Sequence, residues 1–309
     1  MTAPAHVVLE RVTLVAPFGL SLWDQTTGTI ASDGLAVRLF RLDQEDEPLD
    51  WAEASANRRG VFVAHDIPGL ADFEARAAGT DVWPASTPPR PYLVEVRDTL
   101  GRFTPFTLRV DLPAPLGPAL PPCIAGLRLP EPERSSPPAG LGHVPLFSTP
   151  SRPIQAGQAV VRATLLDAGS GKPAQYAALE VRMSGQLVGL GIADEQGQVA
   201  AVFPYPEPPA RPAPLSPPAS PPGTQPLTSQ TWLVDIVVRY RRGLQRWKLP
   251  STPESMSLAE LCEVLLQPDA VALQIATSPP APLASQELRY GEELLLAAGG
   301  GGKVLITPA

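Results

Sequence analysis

Three histidines are the first places to look for chemistry, because imidazole is the commonest general base and metal ligand near neutral pH. His6, His65 and His143 each lack a second His, Cys or carboxylate at metal-ligand spacing. His65 is followed by Asp66 in VFVAHDIPG, a pair that would orient an imidazole in an active site, but the apolar alternation around it favours a strand end. Asp194 and Glu195 in GIADEQGQ offer two carboxylates, yet Asp-Glu-x-Gly between two apolar runs is turn chemistry first. A hydrolase built on Asp66 or Asp194 needs a second carboxylate converging in a pocket. Ser184 in RMSGQ lacks the Gly that precedes a nucleophile elbow. In GGGGK at 299–303, Ala297 and Val304 stand where a phosphate loop requires Gly and a hydroxyl residue, which leaves a flexible hairpin turn. The chain therefore reads as non-enzymatic, with no catalytic residue, no cofactor and no metal site.

The elements that carry these residues are set by composition. Among 309 residues there are 40 prolines and 25 glycines, and only 18% are charged. Proline removes a helix donor and clashes with the preceding turn, so short strands joined by many turns are expected. The net charge is −7 with Lys and Arg scattered, which excludes the basic stripe needed for nucleic acid. The N-terminus, MTAPAHVVLERVTLVAPFGLSLW, has no basic n-region, and Glu10, Arg11 and Asp24 interrupt its apolar content short of the ~20 residues that span a bilayer. Cytoplasmic synthesis without a signal peptide or membrane insertion is the expectation. Cys123 and Cys262 permit one disulfide but stand in unrelated contexts, and read as two separate thiols.

The strand pattern is written twice. LWDQTTGTIASDGLAVRL at 22–39 and LLDAGSGKPAQYAALEVRM at 165–183 share an Asp (Asp24, Asp167), a Gly four positions later (Gly28, Gly171) and a following branched residue (Val37, Val181). Tyr92, Leu93, Val94, Glu95 and Val96 match Trp232, Leu233, Val234, Asp235 and Ile236 in type and order. Two matches in the same order imply one β-sandwich built twice. Within the first copy, VVLERVTLV at 7–15 reads as a strand, DQEDEPLDWAEASANRRG as a polar stretch, and Asp98 to Gly101 as a hairpin turn.

The expected fold is mainly β: two tandem β-sandwich domains, Ig-like or prealbumin-like, with a C-terminal helix and β-arm. The boundaries fall at 1–113, a Pro-rich linker at 114–145, a second sandwich at 146–250 and the C-terminal region at 251–309. A Pro-rich surface excursion at 206–226 interrupts the second sandwich as a solvated loop that a polyproline-recognising partner would be able to bind. Ser257 to Glu260 is a capping box opening a helix over SLAELCEVLLQ. Leu258, Leu261, Leu265, Tyr290, Leu294 and Leu296 are the candidate partner-binding residues, because the helix stripe and following strands offer more apolar surface than a terminal tail carries. The strands ELRYGEELLL and KVLITPA are joined by the glycine run 299–302.

Residues 154–206 resemble the carboxypeptidase regulatory-like, transthyretin-like β-sandwich family. The resemblance lies in the D-x-x-[ST]-G-x-P turn from Asp167 to Pro173, the strand leading to Val181 and the A-D-E-x-G turn from Ala193 to Gly197. It implies a prealbumin-like sandwich without catalytic residues. Residues 7–113 lack the Pro after the turn Gly and the A-D-E-x-G element, and join through the repeat. The layout of VTLVAPFGLSLWD, LFSTPSRP and the regulatory-like region also resembles accessory proteins of phage-tail-like contractile injection particles. That implies a structural or adaptor subunit among the proteins of a multiprotein particle of a kind that can be released. The alternative is an adhesin-like module for carbohydrate or cell surfaces, which predicts exposed Trp51 and Trp83 clustered at one end of the first sandwich.

Overall fold

The computed structural model describes residues 12–14, 16–45, 47–70, 75–77, 88–114, 123, 143–206, 229–242, 256–298 and 301–309. The connector after residue 114 and the Pro-rich excursion at 206–226 lie almost wholly outside this set. The first half supplies β1 (Val12–Leu14), β2 (Phe18–Asp24), β3 (Thr29–Ile30), β4 (Leu35–Leu42), β5 (Pro48–Ala56), β6 (Phe62–Ala64), β7 (Ala75–Ala77), β8 (Arg90–Asp98), β9 (Phe106–Leu112) and β10 (His143–Leu146). The second supplies β11 (Gln158–Asp167), β12 (Ala178–Met183), β13 (Gln186–Ile192), β14 (Gln198–Pro204) and β15 (Thr231–Arg239). The C-terminal region adds β16 (Met256–Ser257), helix α1 (Leu258–Leu265), β17 (Ala272–Ile275), β18 (Ala281–Pro282), β19 (Gln286–Arg289), β20 (Leu294–Leu295) and β21 (Lys303–Thr307). The fold is mainly β.

Both halves run the same ladder. β2 pairs antiparallel with β6 and parallel with β10; β11 pairs antiparallel with β14 and parallel with β21. β4 lies between β5 and β8, as β12 lies between β13 and β15. Registers agree at the marked residues: Val37 opposes Val96 and Val181 opposes Ile236, while Leu22 opposes Val144 and Leu165 opposes Val304. In the first half the hydrogen-bonded order is β10-β2-β6-β5-β4-β8-β9-β16, and β5 carries it from one layer to the other by pairing first with β4 and then with β6. Phe18, Leu20 and Leu22 from one layer meet Val37, Val94 and Leu108 from the other. In the second half, Val161, Leu165 and Ile306 meet Leu179, Val181 and Val234.

Three expectations change here. The polar stretch after Asp43 contains β5, whose outward residues are charged or exposed, so a paired strand carries no apolar alternation. The glycine run does not make a hairpin: β20 and β21 both pair parallel with β11, at Val161–Arg162 and Thr164–Asp167, as two segments of one strand line. Cys123 and Cys262 form a disulfide with Cα atoms 5.8 Å apart, which fastens the connector to α1.

Helix α1 forms where the capping box places it. The Ser257 hydroxyl accepts from the Glu260 N–H, and the Glu260 carboxylate accepts from the Ser257 N–H. Its apolar face is buried at the joint between the halves. Leu261, Val264 and Leu265 enter the first core together with Tyr176, Ala178, Leu190 and Ile192 from the outer face of the second. Each fully buried Leu, Ile or Val among them contributes about 1.5–3 kcal/mol. Gln267 Nε2 donates to the Tyr176 carbonyl and Arg239 Nη1 donates to the Leu265 carbonyl, completing the joint.

Candidate functional site: two aspartate corners

The described residue cluster with the most chemistry in an open cleft is at the end of β11. There the turn Asp167 to Pro173 reverses the chain, with Gly171 at φ 67° and its N–H 2.8 Å from the Asp167 carbonyl. Asp167 Oδ1 accepts from the N–H groups of Gly169 (2.8 Å) and Ser170 (2.9 Å), and Arg242 grips both carboxylate oxygens, with Nη2 2.8 Å from Oδ1. A Cβ on Gly169 would stand 2.2 Å from Arg242 Nη2, so the guanidinium lies where a side chain would otherwise be. Ser170, Lys172, Pro173, Gln175 and Tyr240 line a cleft of about 470 Å³ over this pair.

The hydrogen bonds around this carboxylate keep it charged and engaged in the turn. Hydrogen bonding from Arg242, reinforced by the Ser170 and Gly169 N–H groups, outweighs burial and holds Asp167 well below the usual carboxylate range. Burial and the Asp167 charge push Tyr240 up, and hydrogen bonding to Asp167 pushes Arg242 up. Asp167 is thus a fixed anion, Tyr240 a neutral phenol and Arg242 a fixed cation. The arrangement is built to hold a shape and to present positive charge.

The first half carries the same corner in a closed form. Thr26 N–H donates to Asp24 Oδ1 at 2.9 Å, and the Gly28 N–H, with φ 64°, reaches the Asp24 carbonyl at 2.9 Å. The cation is Arg152, with Nη1 3.0 Å from Oδ1 and Nη2 2.6 Å from Oδ2. Nη1 also donates to Thr26 Oγ1 and Ser148 Oγ, and the guanidinium lies 4.7 Å from the Phe103 ring centroid. Burial raises Asp24, but bonding and charge from Arg152, with Thr26, outweigh it and leave the carboxyl below its usual range. Arg152 is 3% exposed, whereas the side chain of Arg242 is 56% exposed. One lock is covered by the chain segment that follows β10; the other is open.

Neither arginine was legible as a partner in the sequence, since each lies in a loop far from its aspartate. The available signal was the Asp itself: a carboxylate opening the same turn in both copies calls for a cation as well as turn N–H groups.

The other candidates resolve into structure. His65 and Asp66 are exposed, with Asp66 at φ 54° in the bend after β6. His143 lies in β10, where Nδ1 is 2.7 Å from Ser21 Oγ and the ring sits beside Trp23. His6 and Trp83 lie outside the described residues. Asp194 caps its turn by accepting from the N–H groups of Gln196 and Gln198, and Glu195 accepts from the Tyr176 hydroxyl. Ser184, at φ 50°, is in the β12–β13 hairpin. Among the described residues, no group of three or more His, Cys, Asp or Glu is placed to hold a metal ion, and no helix is long and apolar enough to cross a membrane.

Part of the apolar C-terminal surface expected to bind a partner is covered by the chain itself. Leu261 and Leu265 belong to the first core and Leu296 to the second, while Leu294 and Tyr290 pack half-buried against the second. The Tyr290 ring stands 4.7 Å from that of Tyr205. The Leu258 side chain lies outside the described set. Exposed apolar groups include Leu266, Val271 and Leu295 in this region and Leu49 and Trp51 on β5, Trp51 being 52% exposed with the Arg38 guanidinium 5.2 Å from its ring centroid.

No protein-family model matches the chain, and no curated protein matches it. Distantly similar solved structures include the shaft pilin SpaA of Lactobacillus rhamnosus GG, at 10% identity over 94% of this chain and 98% of that one, with a TM-score of 0.21. A candidate adhesin of Bacteroides ovatus is 9% identical over 72% of this chain and 77% of its own, with a TM-score of 0.17. The major pilin subunit of Bacillus cereus is 9% identical over 55% and 46%, with a TM-score of 0.13. The likeness is to multi-sheet β proteins and assigns no family; at such scores the architecture rests on the strand ladders alone.

Proposed function

We propose that this chain is a non-catalytic structural and binding subunit of a larger protein assembly. The observation that carries the reading is the joint: α1, the Cys123–Cys262 disulfide and the packing of Tyr176, Ala178, Leu190 and Ile192 into the first core tie two sandwiches into one body. Asp194, which offered a carboxylate for chemistry, is engaged in holding its turn, as Asp24 and Asp167 hold theirs. Cross-linking and mass spectrometry of intact source material should place the chain in a high-mass fraction beside stoichiometric protein neighbours. Recovery only as a free monomer, or substrate turnover by the purified chain, would overturn the reading.

The setting has two forms. The sequence layout supports a phage-tail-like contractile injection particle, with 146–250 as its regulatory-like sandwich; purified particles should then contain the chain. Display on a cell surface as an adhesin-like module is favoured by the disulfide, since such bonds persist in oxidising compartments, and by the exposed Trp51 of β5 with Arg38 of β4 over its ring. On that form a glycan array should give hits that Trp51→Ala abolishes, and an array without hits counts against it.

A further inference from the structure

We infer that the open Asp167 cleft is a binding site for a carboxylate presented by an acidic segment of a partner protein. The inference rests on the binding-subunit reading and names the chemistry of one contact. In the cleft, Asp167 carries one negative charge and Lys172 and Arg242 one positive charge each, so a net positive site opens on a chain whose net charge is −7. Arg242 engages Asp167 through Nε and Nη2, which leaves Nη1 outside the pair on a half-exposed guanidinium held at two points. Lys172 is exposed and has no ion-pair partner among the described residues. A guanidinium fixed in advance, with an ammonium beside it, binds a carboxylate without the cost of ordering a long side chain.

The closed corner indicates what kind of occupant belongs there. At Asp24 the cover is a polypeptide segment, Ser148 to Arg152, which brings its own cation to the aspartate. At Asp167 the cation is already seated by Gly169, so an incoming segment meets positive charge and is complementary when acidic. Ser170 and Tyr240 give the rim polar groups, with Tyr240 kept neutral by burial and by Asp167.

The test is a titration of the isotope-labelled full chain with a capped hexaglutamate peptide and, in parallel, with acetate, read by amide chemical shifts. Saturable shifts at Gly169 to Lys172 and at Arg242 are expected, with the peptide binding at least about tenfold more tightly than acetate. Lys172→Glu should weaken the peptide by about tenfold and leave the melting temperature unchanged, because Lys172 is exposed. Equal binding of acetate and peptide would assign the cleft to free small carboxylates and overturn the protein-segment source. Absence of saturable shifts with both probes, or unchanged affinity in Lys172→Glu, would overturn the site itself. A chain that binds the peptide yet is recovered only as a monomer would keep the site and remove the assembly, so the two readings fail separately.

Discussion

Replacing Arg152 by alanine removes the charged partner that Asp24 has among the described residues, and the geometry sets the size of the effect. The pair is bidentate and almost wholly buried, and without the guanidinium the carboxylate keeps one N–H donor, from Thr26. Leaving one member of a buried pair uncompensated costs about 3–5 kcal/mol, and loss of the cation over Phe103 adds up to about 1 kcal/mol. At roughly 2–4 °C per kcal/mol for domains of this size, the melting temperature should fall by about 10 °C. Arg242→Ala is the internal control, since Arg242 is solvent-exposed and Asp167 retains the N–H groups of Gly169 and Ser170. Asp167 is itself buried and Arg242 is the main cause of its depressed titration, so the melting temperature should fall, but by clearly less than in Arg152→Ala. Differential scanning calorimetry of both variants at pH 7, with Asp24→Ala/Arg152→Met to remove the charge pair together, measures the contrast. If Arg152→Ala melts with the parent, or Arg242→Ala falls as far, the distinction between closed and open corners is wrong.

Asp24 and Asp167 are both held below their unfolded values, so their contribution is complete above about pH 4. It is lost as pH falls through the depressed folded values: urea midpoints should be level from pH 7 to about 5 and drop steadily below about 4, and a level profile into strong acid would contradict this. Reducing the Cys123–Cys262 bond, which joins residues 139 apart in sequence, should lower stability by about 2–5 kcal/mol. Denaturation with and without reductant, after non-reducing peptide mapping, measures it. Ending the chain at Gly302 removes β21 and the fully buried Val304 and Ile306, so the second sandwich should lose its protease resistance. Native resistance in that truncate would make β21 dispensable.

What was legible in the sequence was local. The capping box, the Asp98 and Asp194 turns and the paired Asp-to-Gly corners are each written within five residues and took the predicted form. The duplication was legible because Val37, Val96, Val181 and Ile236 hold matching core registers. β5 was missed because it shows polar side chains outward, and outward polarity reads as loop. The Arg152 and Arg242 locks and the disulfide are contacts between distant segments with no local pattern. The same cause misplaced Leu261, Leu265 and Leu296: an apolar stripe looks identical whether it meets a partner or the chain's own core.

The parallel closing strands impose an order on biosynthesis. β11 receives β21 only when residues 303–307 arrive, about 139 positions after Thr164, the partner of Lys303. While the ribosome is still adding the C-terminal region, one edge of β11 stands unpaired and the Leu165 side of its core stays wet. A nascent second sandwich is then a sticky intermediate, open to strand addition by a neighbouring polysome. Conditions that slow elongation late in the message should therefore harm yield more than those that slow it early, and a holdase that shields β strands should rescue the loss.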